Sequence, residues 1–307
     1  MLSIIIVNWN VRPLLEKCLF SILKNTQGLD YEIIVVDNNS TDGSREFLSQ
    51  FRVSGLRFKV ILNSQNNGFA KANNQGIKRT RGEFILLLNP DTEVYQGTLQ
   101  KTVSFMQKNS DCGILGCQLV GSDDVIQPSV RSFPTVGSHL MIFLKLQYLF
   151  PRAKVLRDYF QSDFDYYQLA EVDQVMGAFF MTRREVLDRI GLLDERFFLW
   201  FEEVDFCKRV KDAGWKIIYN PETRILHRDS RSFSQLLPLC KQRIYTQSAI
   251  YYFKKYSSHK EYLILAFLRP LSLLLACFTQ ILFCFSPMKY EAIKKNKPAF
   301  TNIVKYR

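Results

Sequence analysis

Four short, unbroken apolar runs constrain the fold of this chain more than any other feature. They read SIIIVN at 3–8, EIIVVD at 32–37, FKVIL at 58–62 and EFILLL at 83–88. Each is short for a helix, and none alternates between apolar and polar residues, so each predicts a strand buried on both faces. Helical segments separate them, including one that opens at Pro13 and one from about 69 to 80. This order predicts a mostly parallel, Rossmann-like α/β sheet with helices on both faces.

The second half of the chain predicts less regular structure. Residues 122–170 are rich in aromatic and charged residues, and they predict a long insertion over one side of the sheet. Regular structure is expected to return with a strand at 172–182, a helix at 183–190 and a last strand that begins at 216. From about 233 we expect helices. The chain therefore divides into an α/β domain at 1–232 and a helical C-terminal extension at 233–307.

The C-terminal extension contains one long apolar segment, residues 263–285. Its length is close to the ~20 residues that cross a bilayer, but Arg269 and Pro270 interrupt it. We therefore expect a kinked or interfacial helix pair that associates with a membrane, in a peripheral or monotopic protein. Anionic head groups would meet the lysines that follow, which are Lys289, Lys294, Lys295 and Lys297. The alternative is a buried helix at a homodimer interface.

The charge and the cysteines narrow the possible partners. The 307 residues carry 41 Lys and Arg against 29 Asp and Glu, a net charge of +12. This excess suits nucleic acid, an anionic membrane or phosphorylated small molecules, but no nucleic-acid-binding motif is present and we expect no such partner. Seven cysteines without a C-x-x-C pair favour buried free thiols in a reducing compartment. No signal-peptide pattern precedes the first strand, so we expect the cytoplasmic face of the cell membrane.

A loop rich in polar residues follows each of the four predicted strands, at the edge where ligands bind in parallel sheets. These loops contain Asn8, Trp9 and Asn10 after the first strand, residues 37–42 after the second, Asn63, Asn66, Asn67 and Gly68 after the third, and Asn89, Asp91 and Glu93 after the fourth. Each loop alone is ordinary turn chemistry, since Asn-Pro-Asp itself favours turns. Four such loops on one edge predict a binding site.

A phosphorylated ligand at this edge would need a cation, because the chain has neither G-x-G-x-x-G nor a P-loop motif. Asp91 ends a strand and is a candidate to hold a divalent metal, Mg²⁺ or Mn²⁺. His227 is one of three histidines. It is either a structural residue or a second ligand of the same metal.

A second group of acids lies in FLWFEEVDFCKR, residues 198–209. On a helix that starts there, Glu202 and Asp205 share a face, while Glu203 points elsewhere. The neighbouring aromatic residues, including Trp200, are suited to lining a pocket in which a carboxylate with a raised pKa acts as a base. The alternative is a set of acids at a helix N-terminus, stabilised there by the helix dipole.

Taken together, these motifs resemble the family 2 glycosyltransferases with the GT-A fold, especially the rhamnosyltransferase-like branch. The resemblance covers roughly residues 2–230, in SIIIVNWN (3–10), IIVVDNNSTDGS (33–44), NNGFAKANNQGI (66–77), LLLNPDT (86–92), MGAFFM (176–181), LLDERFFLWFEEVDFCKR (192–209) and His227. It implies inverting transfer of rhamnose or a similar hexose from a dTDP- or UDP-linked donor. The acceptor would be a hydroxyl of a glycan or polyprenyl-diphosphate-linked sugar in cell-surface polysaccharide synthesis.

The resemblance also implies roles for single residues. The donor would be bound by Asn8, Asp37, Asn39, Asn67, Gly68, Asn73, Asn89 and Asp91, with Asp37 toward the base. The family's DxD metal motif falls on 89–91, where Asn89 replaces its first aspartate, and His227 would complete the metal site beside Asp91. The family's ED motif falls on Glu202 and Glu203, so that Glu203 would be the catalytic base. The acceptor would then meet Glu202, Trp200 and Asp205.

Two other classes of function stay open. A non-catalytic subunit that binds nucleotide-sugars or glycans would keep the same fold. The basic C-terminal part could instead act as a membrane scaffold, with the α/β part as an adaptor. The acids Asp91, Glu203 and Asp205 favour the enzyme over the binding subunit, and only an enzyme would keep catalysis on soluble acceptors after removal of residues 233–307.

Overall fold

The fold is a large mixed sheet between two layers of helices, seen in a computed structural model that describes residues 1–228 and 235–284. The strands are β1 (Leu2–Asn8), β2 (Tyr31–Asp37), β3 (Arg57–Leu62), β4 (Phe84–Leu88), β5 (Thr92–Val94), β6 (Cys112–Val120), β7 (Ile126–Gln127), β8 (Val130–Arg131), β9 (Ala170–Glu171), β10 (Gln174–Val175), β11 (Phe179–Arg183) and β12 (Lys216–His227). The helices are α1 (Arg12–Asn25), α2 (Ser44–Gln50), α3 (Phe69–Ile77), α4 (Thr98–Lys108), α5 (Val136–Phe143), α6 (Lys154–Phe160), α7 (Arg184–Ile190), α8 (Glu202–Asp212), α9 (Pro238–Tyr256) and α10 (His259–Cys284), with a 3₁₀ turn at Leu146–Tyr148.

The sheet confirms the predicted α/β class. Its main path runs β3-β2-β1-β4-β11-β6-β12-β5, with β7 and β9 paired at its margins. The strands β1 to β4 are parallel to one another, as their unbroken apolar runs predicted. β11 runs antiparallel to β4 and β6, whereas β12 is parallel to β6. The carboxyl ends of β1, β2, β3 and β4 therefore meet at one edge.

The central strand β1 is buried along its whole length and divides the core in two. Leu2, Ile4 and Ile6 pack on the face covered by α1 and α4, while Ile5 packs on the opposite face with α3, α7 and α8. Each buried aliphatic side chain contributes roughly 1.5–3 kcal/mol by leaving water. A strand of this kind cannot slip by one residue without exchanging the two faces. Its register therefore determines where Asn8 ends the strand.

The structure differs from the sequence prediction between 122 and 182. The insertion supplies β7 and β9 to the sheet and carries α5 and α6, so it is more regular than expected. The single strand predicted at 172–182 is wrong, because β10 pairs with β8 in a separate two-stranded sheet and only β11 continues in the main sheet. The physical reason is the space that a glycine of β6 leaves for β10. A Cβ at Gly116 of β6 would lie 2.7 Å from Val175, so the missing side chain lets β10 cross the face of the sheet.

The C-terminal helices are part of the same body. Tyr252 and Phe253 of α9 pack with Phe197 and Phe201 in one buried cluster. The boundary predicted at 232/233 falls in residues 229–234, outside the described residues, as do the lysines beyond 284. The helix pair expected at the apolar segment is wrong, since Pro270 lies inside the one helix α10.

Asp205 fastens α9 to α8. One of its carboxylate oxygens accepts a hydrogen bond from Arg209 Nε at 2.9 Å, and the other accepts from Lys255 and from the Tyr256 hydroxyl at 2.7 Å. The side chain is fully buried. The expectation that Asp205 and Glu202 share a functional face is therefore wrong, and we no longer assign Asp205 to the acceptor. Asp205 binds one cation of each helix, Arg209 of α8 and Lys255 of α9, so its side chain belongs to the interface between these helices.

We expect Asp205→Asn to lower the free energy of unfolding by about 1.5–3 kcal/mol, because the fully buried amide cannot replace the charge-assisted hydrogen bonds to Arg209 and Lys255. Asp212→Asn is the matched control on the same helix, since Asp212 pairs with Lys208 at a side chain that is 53% exposed. Its loss should cost about 0–1 kcal/mol. Urea denaturation measures both. Equal stability of the two variants would contradict this account of Asp205.

Gly68 lets the loop before α3 approach the segment before α8. Its φ of 81° and ψ of 173° lie in a region that other residues rarely adopt. A Cβ there would lie 2.4 Å from the carbonyl oxygen of Phe198, the same oxygen that accepts a 2.7 Å hydrogen bond from the Phe69 N–H. The glycine thus joins two loops that carry candidate site residues.

We expect Gly68→Ala to destabilise the protein by more than the ~1–3 kcal/mol of backbone strain alone, because the methyl group also meets a backbone oxygen. Gly97→Ala is the control for a left-handed glycine with open space around its missing side chain, at a φ of 77° and a ψ of −3°. Urea denaturation of both variants measures the combined cost of strain and collision at Gly68. If the two variants lose the same stability, the close approach at Gly68 has no energetic role.

Candidate active site

Two adjoining cavities lie at the edge where the parallel strands end. The first is lined by residues of all four strand-end loops and of the C-terminal part, including Trp9, Asn38, Gly68, Asp91 and Leu236. The second has a volume of about 300 Å³ and is lined by Arg131, Tyr159, Trp200, Glu202, Glu203, His227 and Tyr245, among others. Phe69, Asn89 and Leu199 contribute to both. The two cavities therefore offer a ligand site in two halves.

A buried hydrogen-bond network holds the strand-end loops behind the first cavity. The Asn8 amide donates to Asp37 at 2.9 Å and to the Ser40 hydroxyl at 3.1 Å. The Ser40 N–H donates to the other oxygen of Asp37 at 2.9 Å. Asn39 in the same loop has a φ of 65°, a conformation that asparagine tolerates better than most residues. The network makes the first cavity a rigid, preformed surface.

The predicted donor residues fall into two groups in the described part of the chain. Gly68, Asn89 and Asp91 line the first cavity. Behind or beside it lie Asn8, Asp37, Asn39, Asn67 and Asn73, which line neither cavity. Asn73, for example, donates to the Phe69 carbonyl within α3 at 3.0 Å. For both groups, contact with the donor stays a prediction, whereas the hydrogen bonds that Asn8, Asp37 and Asn73 make within the loops and α3 are observed.

Asp91 and His227 lie together at the boundary of the two cavities, 3.7 Å apart between Oδ1 and Nε2, with about 5% of each side chain exposed. The side-chain amide of Gln127 contacts His227 at two points. Its Oε1 lies 2.7 Å from His227 Nδ1, and its Nε2 donates to the His227 carbonyl at 3.1 Å. A proton on Nδ1 that donates to Gln127 leaves the lone pair on Nε2, toward Asp91. No feature of the sequence marked Gln127 as a partner.

This donor set fits the predicted divalent metal. A carboxylate oxygen and a neutral imidazole nitrogen are both ligands of Mn²⁺, and Mg²⁺ and Mn²⁺ commonly take their other ligands from substrate phosphates and water. Among residues 1–228 and 235–284, no three His, Cys, Asp or Glu side chains cluster closely enough to form a complete metal site. The pair Asp91 and His227 would therefore hold the metal only together with a phosphorylated ligand.

The turn before α8 directs Glu202 and Glu203 into the second cavity. Trp200 and Phe201 adopt φ values of 63° and 71°, which bulky side chains rarely do, and such strain concentrates at functional sites. Glu202 is 3% exposed, while Glu203 keeps part of its surface accessible. Oε2 of each glutamate is buried without a hydrogen-bond partner in the described residues. Acids that merely cap a helix would instead face solvent.

Burial changes the acidity of both glutamates. It raises the pKa of Glu202 well above the usual range, and the neighbouring charge of Glu203 raises it further. Burial also raises the pKa of Glu203, against which the Arg131 guanidinium acts weakly. Two buried carboxyl groups this close do not readily ionise together. A carboxylate with a raised pKa takes a proton from a hydroxyl more readily than an exposed one does.

Three residues that line the second cavity were not predicted from the sequence. Arg131 and Tyr159 come from the insertion, and Tyr245 comes from α9. The Tyr245 hydroxyl lies 3.1 Å from Nε2 of His139, which is fully buried. Burial lowers the pKa of His139 to about 3, so the ring is neutral and can accept this hydrogen bond. A single sequence gives no signal for these residues, since none belongs to a strand-end motif.

Comparison with known proteins agrees with this geometry. A family model described as glycosyl transferase family 2 matches residues 3–191, which include Asp91 but not Glu203. The N-acetylglucosaminyl-diphospho-decaprenol L-rhamnosyltransferase of Mycobacterium tuberculosis is 26% identical over 245 residues, which are 75% of this chain and 77% of that protein. The O-antigen biosynthesis protein RfbC of Myxococcus xanthus is 28% identical over 230 residues, 74% of this chain.

The relatives differ in length. The chain spans 17% of RfbC and 25% of an uncharacterized relative from Sinorhizobium fredii. Among solved structures, a mannosyltransferase from Pyrobaculum calidifontis in complex with GDP-Man and Mn²⁺ has a TM-score of 0.57 at 15% identity, covering 96% of this chain and 83% of that one. This likeness confirms the predicted GT-A fold. With the family model matching more than half of its residues, the chain belongs to glycosyl transferase family 2.

Proposed function

We propose that this glycosyltransferase transfers a sugar with inversion from a nucleotide-diphosphate donor to a hydroxyl group of an acceptor sugar. One observation carries the proposal. Glu202, Glu203 and His227 line the second cavity, and Asp91, 3.7 Å from His227, lines the adjoining first cavity. A base and a phosphate-binding group on two sides of one space are what in-line displacement requires.

The chemistry follows from these positions. The Glu203 carboxylate accepts the proton of the acceptor hydroxyl as the oxygen forms a bond to the anomeric carbon of the donor sugar. The bond from that carbon to the nucleotide diphosphate breaks on the opposite side, which inverts the configuration. Glu202, whose pKa is raised further than that of Glu203, keeps its proton more readily, so that the negative charge of the pair lies on the Glu203 carboxylate. A Mg²⁺ or Mn²⁺ ion held by Asp91 and His227 would supply positive charge for the departing diphosphate.

We infer that the donor is a dTDP- or UDP-linked rhamnose or similar hexose. The acceptor would be a glycan or a polyprenyl-diphosphate-linked sugar, in the synthesis of a cell-surface polysaccharide. The names of the rhamnosyltransferase and O-antigen relatives support this choice. The first cavity, next to Gly68 and Asp91, would take the nucleotide and its diphosphate. The second cavity, next to Trp200 and Glu203, would take the acceptor.

We also propose that α10 lies on the cytoplasmic face of a membrane. It is the one helix in the described residues that is long and apolar enough to cross a bilayer, with a mean hydropathy of 1.9 over His259–Ile281. Its buried face is narrow, whereas Phe267, Leu274 and Phe278 on one side are 85%, 67% and 60% exposed. An apolar stripe of this length suits insertion among lipid head groups. A second copy of the chain is the alternative occupant.

A neighbouring segment extends this surface. The side chain of Lys145 donates to Gln242 of α9 at 2.6 Å, and Gln242 donates to Ser272 in the middle of α10 at 2.8 Å. The residues that follow Lys145 include Tyr148 and Leu149, which are 75% and 71% exposed. Because Lys145 is linked to α10 through Gln242, we infer that these exposed residues add a second element to the apolar surface.

We expect Glu203→Gln to lower kcat by about 10²–10⁴ while donor binding is retained, because the amide fills the same space but accepts no proton. Glu185→Gln is the control, an exposed acid in the first turn of α7. Steady-state kinetics and donor titration measure the two effects. Unchanged turnover in Glu203→Gln would show that Glu203 is not the catalytic base. If the wild-type protein binds a donor but transfers to no acceptor, the non-catalytic binding subunit becomes the better account.

We expect the double variant Phe267→Glu, Leu274→Glu to lose binding to anionic phospholipid vesicles by at least tenfold, since two charges enter the apolar stripe. Gln50→Glu, Gln107→Glu is the control, with the same charge change at two exposed positions on α2 and α4. Vesicle co-sedimentation measures binding, and sedimentation velocity reports the oligomeric state. Unchanged vesicle binding with a loss of dimer would assign the stripe to a second copy.

A further inference from the structure

We propose that Arg131 binds a phosphate group of the acceptor, so that the acceptor sugar carries a phosphate or diphosphate next to the ring that is glycosylated. The inference rests on the proposed function, because it assigns a ligand group to the acceptor half of the same site. It goes further than that function, which leaves the acceptor as a glycan or a diphosphate-linked sugar, because it chooses between the two and names the residue that would bind the anion.

The position of Arg131 is the first support. It lies on β8, whose pairing with Gln174 and Val175 of β10 holds it in the wall of the second cavity. Its guanidinium carbon lies 5.9 Å from the ring centre of Tyr159 and 5.0 Å from that of Phe160. Aromatic rings at the face of a guanidinium leave the N–H donors at its edge available for a planar or bidentate anion. The side chain of Arg131 is therefore held in place by the rings of Tyr159 and Phe160 and not by an acidic side chain.

The missing counter-charge is the second support. Within residues 1–228 and 235–284, Arg131 forms no ion pair with an Asp or Glu side chain, whereas Arg209 and Arg45 each pair with a buried carboxylate. A partly buried cation in a ligand cavity is costly unless an anion meets it. The nearby acid Glu203 cannot fill this role and also act as a base, since a tight ion pair would hold it ionised and weakly basic.

The separation of charges favours the acceptor over the donor. The donor diphosphate is expected beside Asp91 in the first cavity, which Arg131 does not line. Arg131 shares the second cavity with Glu203, the group that meets the acceptor hydroxyl. A phosphate on the anomeric carbon of the acceptor lies one sugar ring away from that hydroxyl. The aromatic side chains of Tyr159 and Tyr245 in the same wall suit the face of the intervening ring.

The experiment compares two acceptors that differ only in the anion. One is N-acetylglucosamine joined through a diphosphate to a short prenyl chain, and the other is the octyl glycoside of N-acetylglucosamine. The donor is dTDP-rhamnose, or a UDP-sugar if that is the one that binds. The quantity measured is the ratio of kcat/KM for the first acceptor to kcat/KM for the second. Any effect of Arg131 that acts through Glu203 or through the fold cancels in this ratio.

We expect the wild-type enzyme to prefer the diphosphate acceptor, and Arg131→Met to lower the ratio by about 10- to 100-fold, the usual size of a charge-assisted hydrogen bond. Arg131→Lys should keep part of the preference, since it retains the charge without the bidentate fork. The donor KM should stay unchanged in both. Arg196→Met is the control. Arg196 lies over the Tyr251 ring at 4.8 Å but pairs with Asp194 and lines neither cavity.

Several results would overturn the inference. The ratio could stay constant in Arg131→Met while both activities fall together, which would make Arg131 a structural residue. A raised donor KM at a constant ratio would assign it to the donor. A wild-type preference for the octyl glycoside would refute an anionic acceptor and leave glycosyl transfer intact. Only a wild-type protein that uses neither acceptor and does not hydrolyse the donor would refute the proposed function as well.

Discussion

The burial of β1 between two helical layers is the constraint on which the rest of the structure depends. Because the strand is apolar on both faces, its neighbours β2 and β4, which run parallel to it, are covered by helices in turn. All the polar residues that follow these strands then reach one edge. The site is therefore a consequence of the core, and Asn8 lies at its base because Val7 and Ile6 are buried just before it.

The second cavity, unlike the edge at the strand ends, is formed by segments that are far apart in the sequence. The turn at Trp200 and Phe201 is strained, and the packing of α9 around Phe201 holds it in place. This turn buries two carboxyl groups where water cannot fully solvate them, so their pKa values rise. The same low polarity strengthens every charge interaction in the cavity, including that of Arg131. Strain, burial and acidity are thus linked at the start of α8.

The strand ends, Asp91 and the glutamate pair could be predicted from the sequence, because each follows from a local pattern or a motif. The role of Asp205 on α8 could not. Helical spacing placed Asp205 beside Glu202 and pointed Glu203 elsewhere, but the cavity lies at the start of the helix, where Glu202 and Glu203 both line it and Asp205 does not. Lys255, the cation on α9 that binds Asp205, is 50 residues away in the sequence. Arg131, Gln127 and Tyr245 are likewise long-range partners, which only the tertiary structure brings to the site.

The most direct test of the account is the thermal stability of the purified protein with UDP-, dTDP- and GDP-sugars, with and without Mg²⁺ or Mn²⁺. A ligand that binds the native state raises the melting temperature, by an amount that follows its affinity and concentration. The account predicts a shift with one nucleotide family that requires the metal and is lost in Asp91→Ala. No shift with any donor, in protein shown to be folded, would contradict it and favour a scaffold.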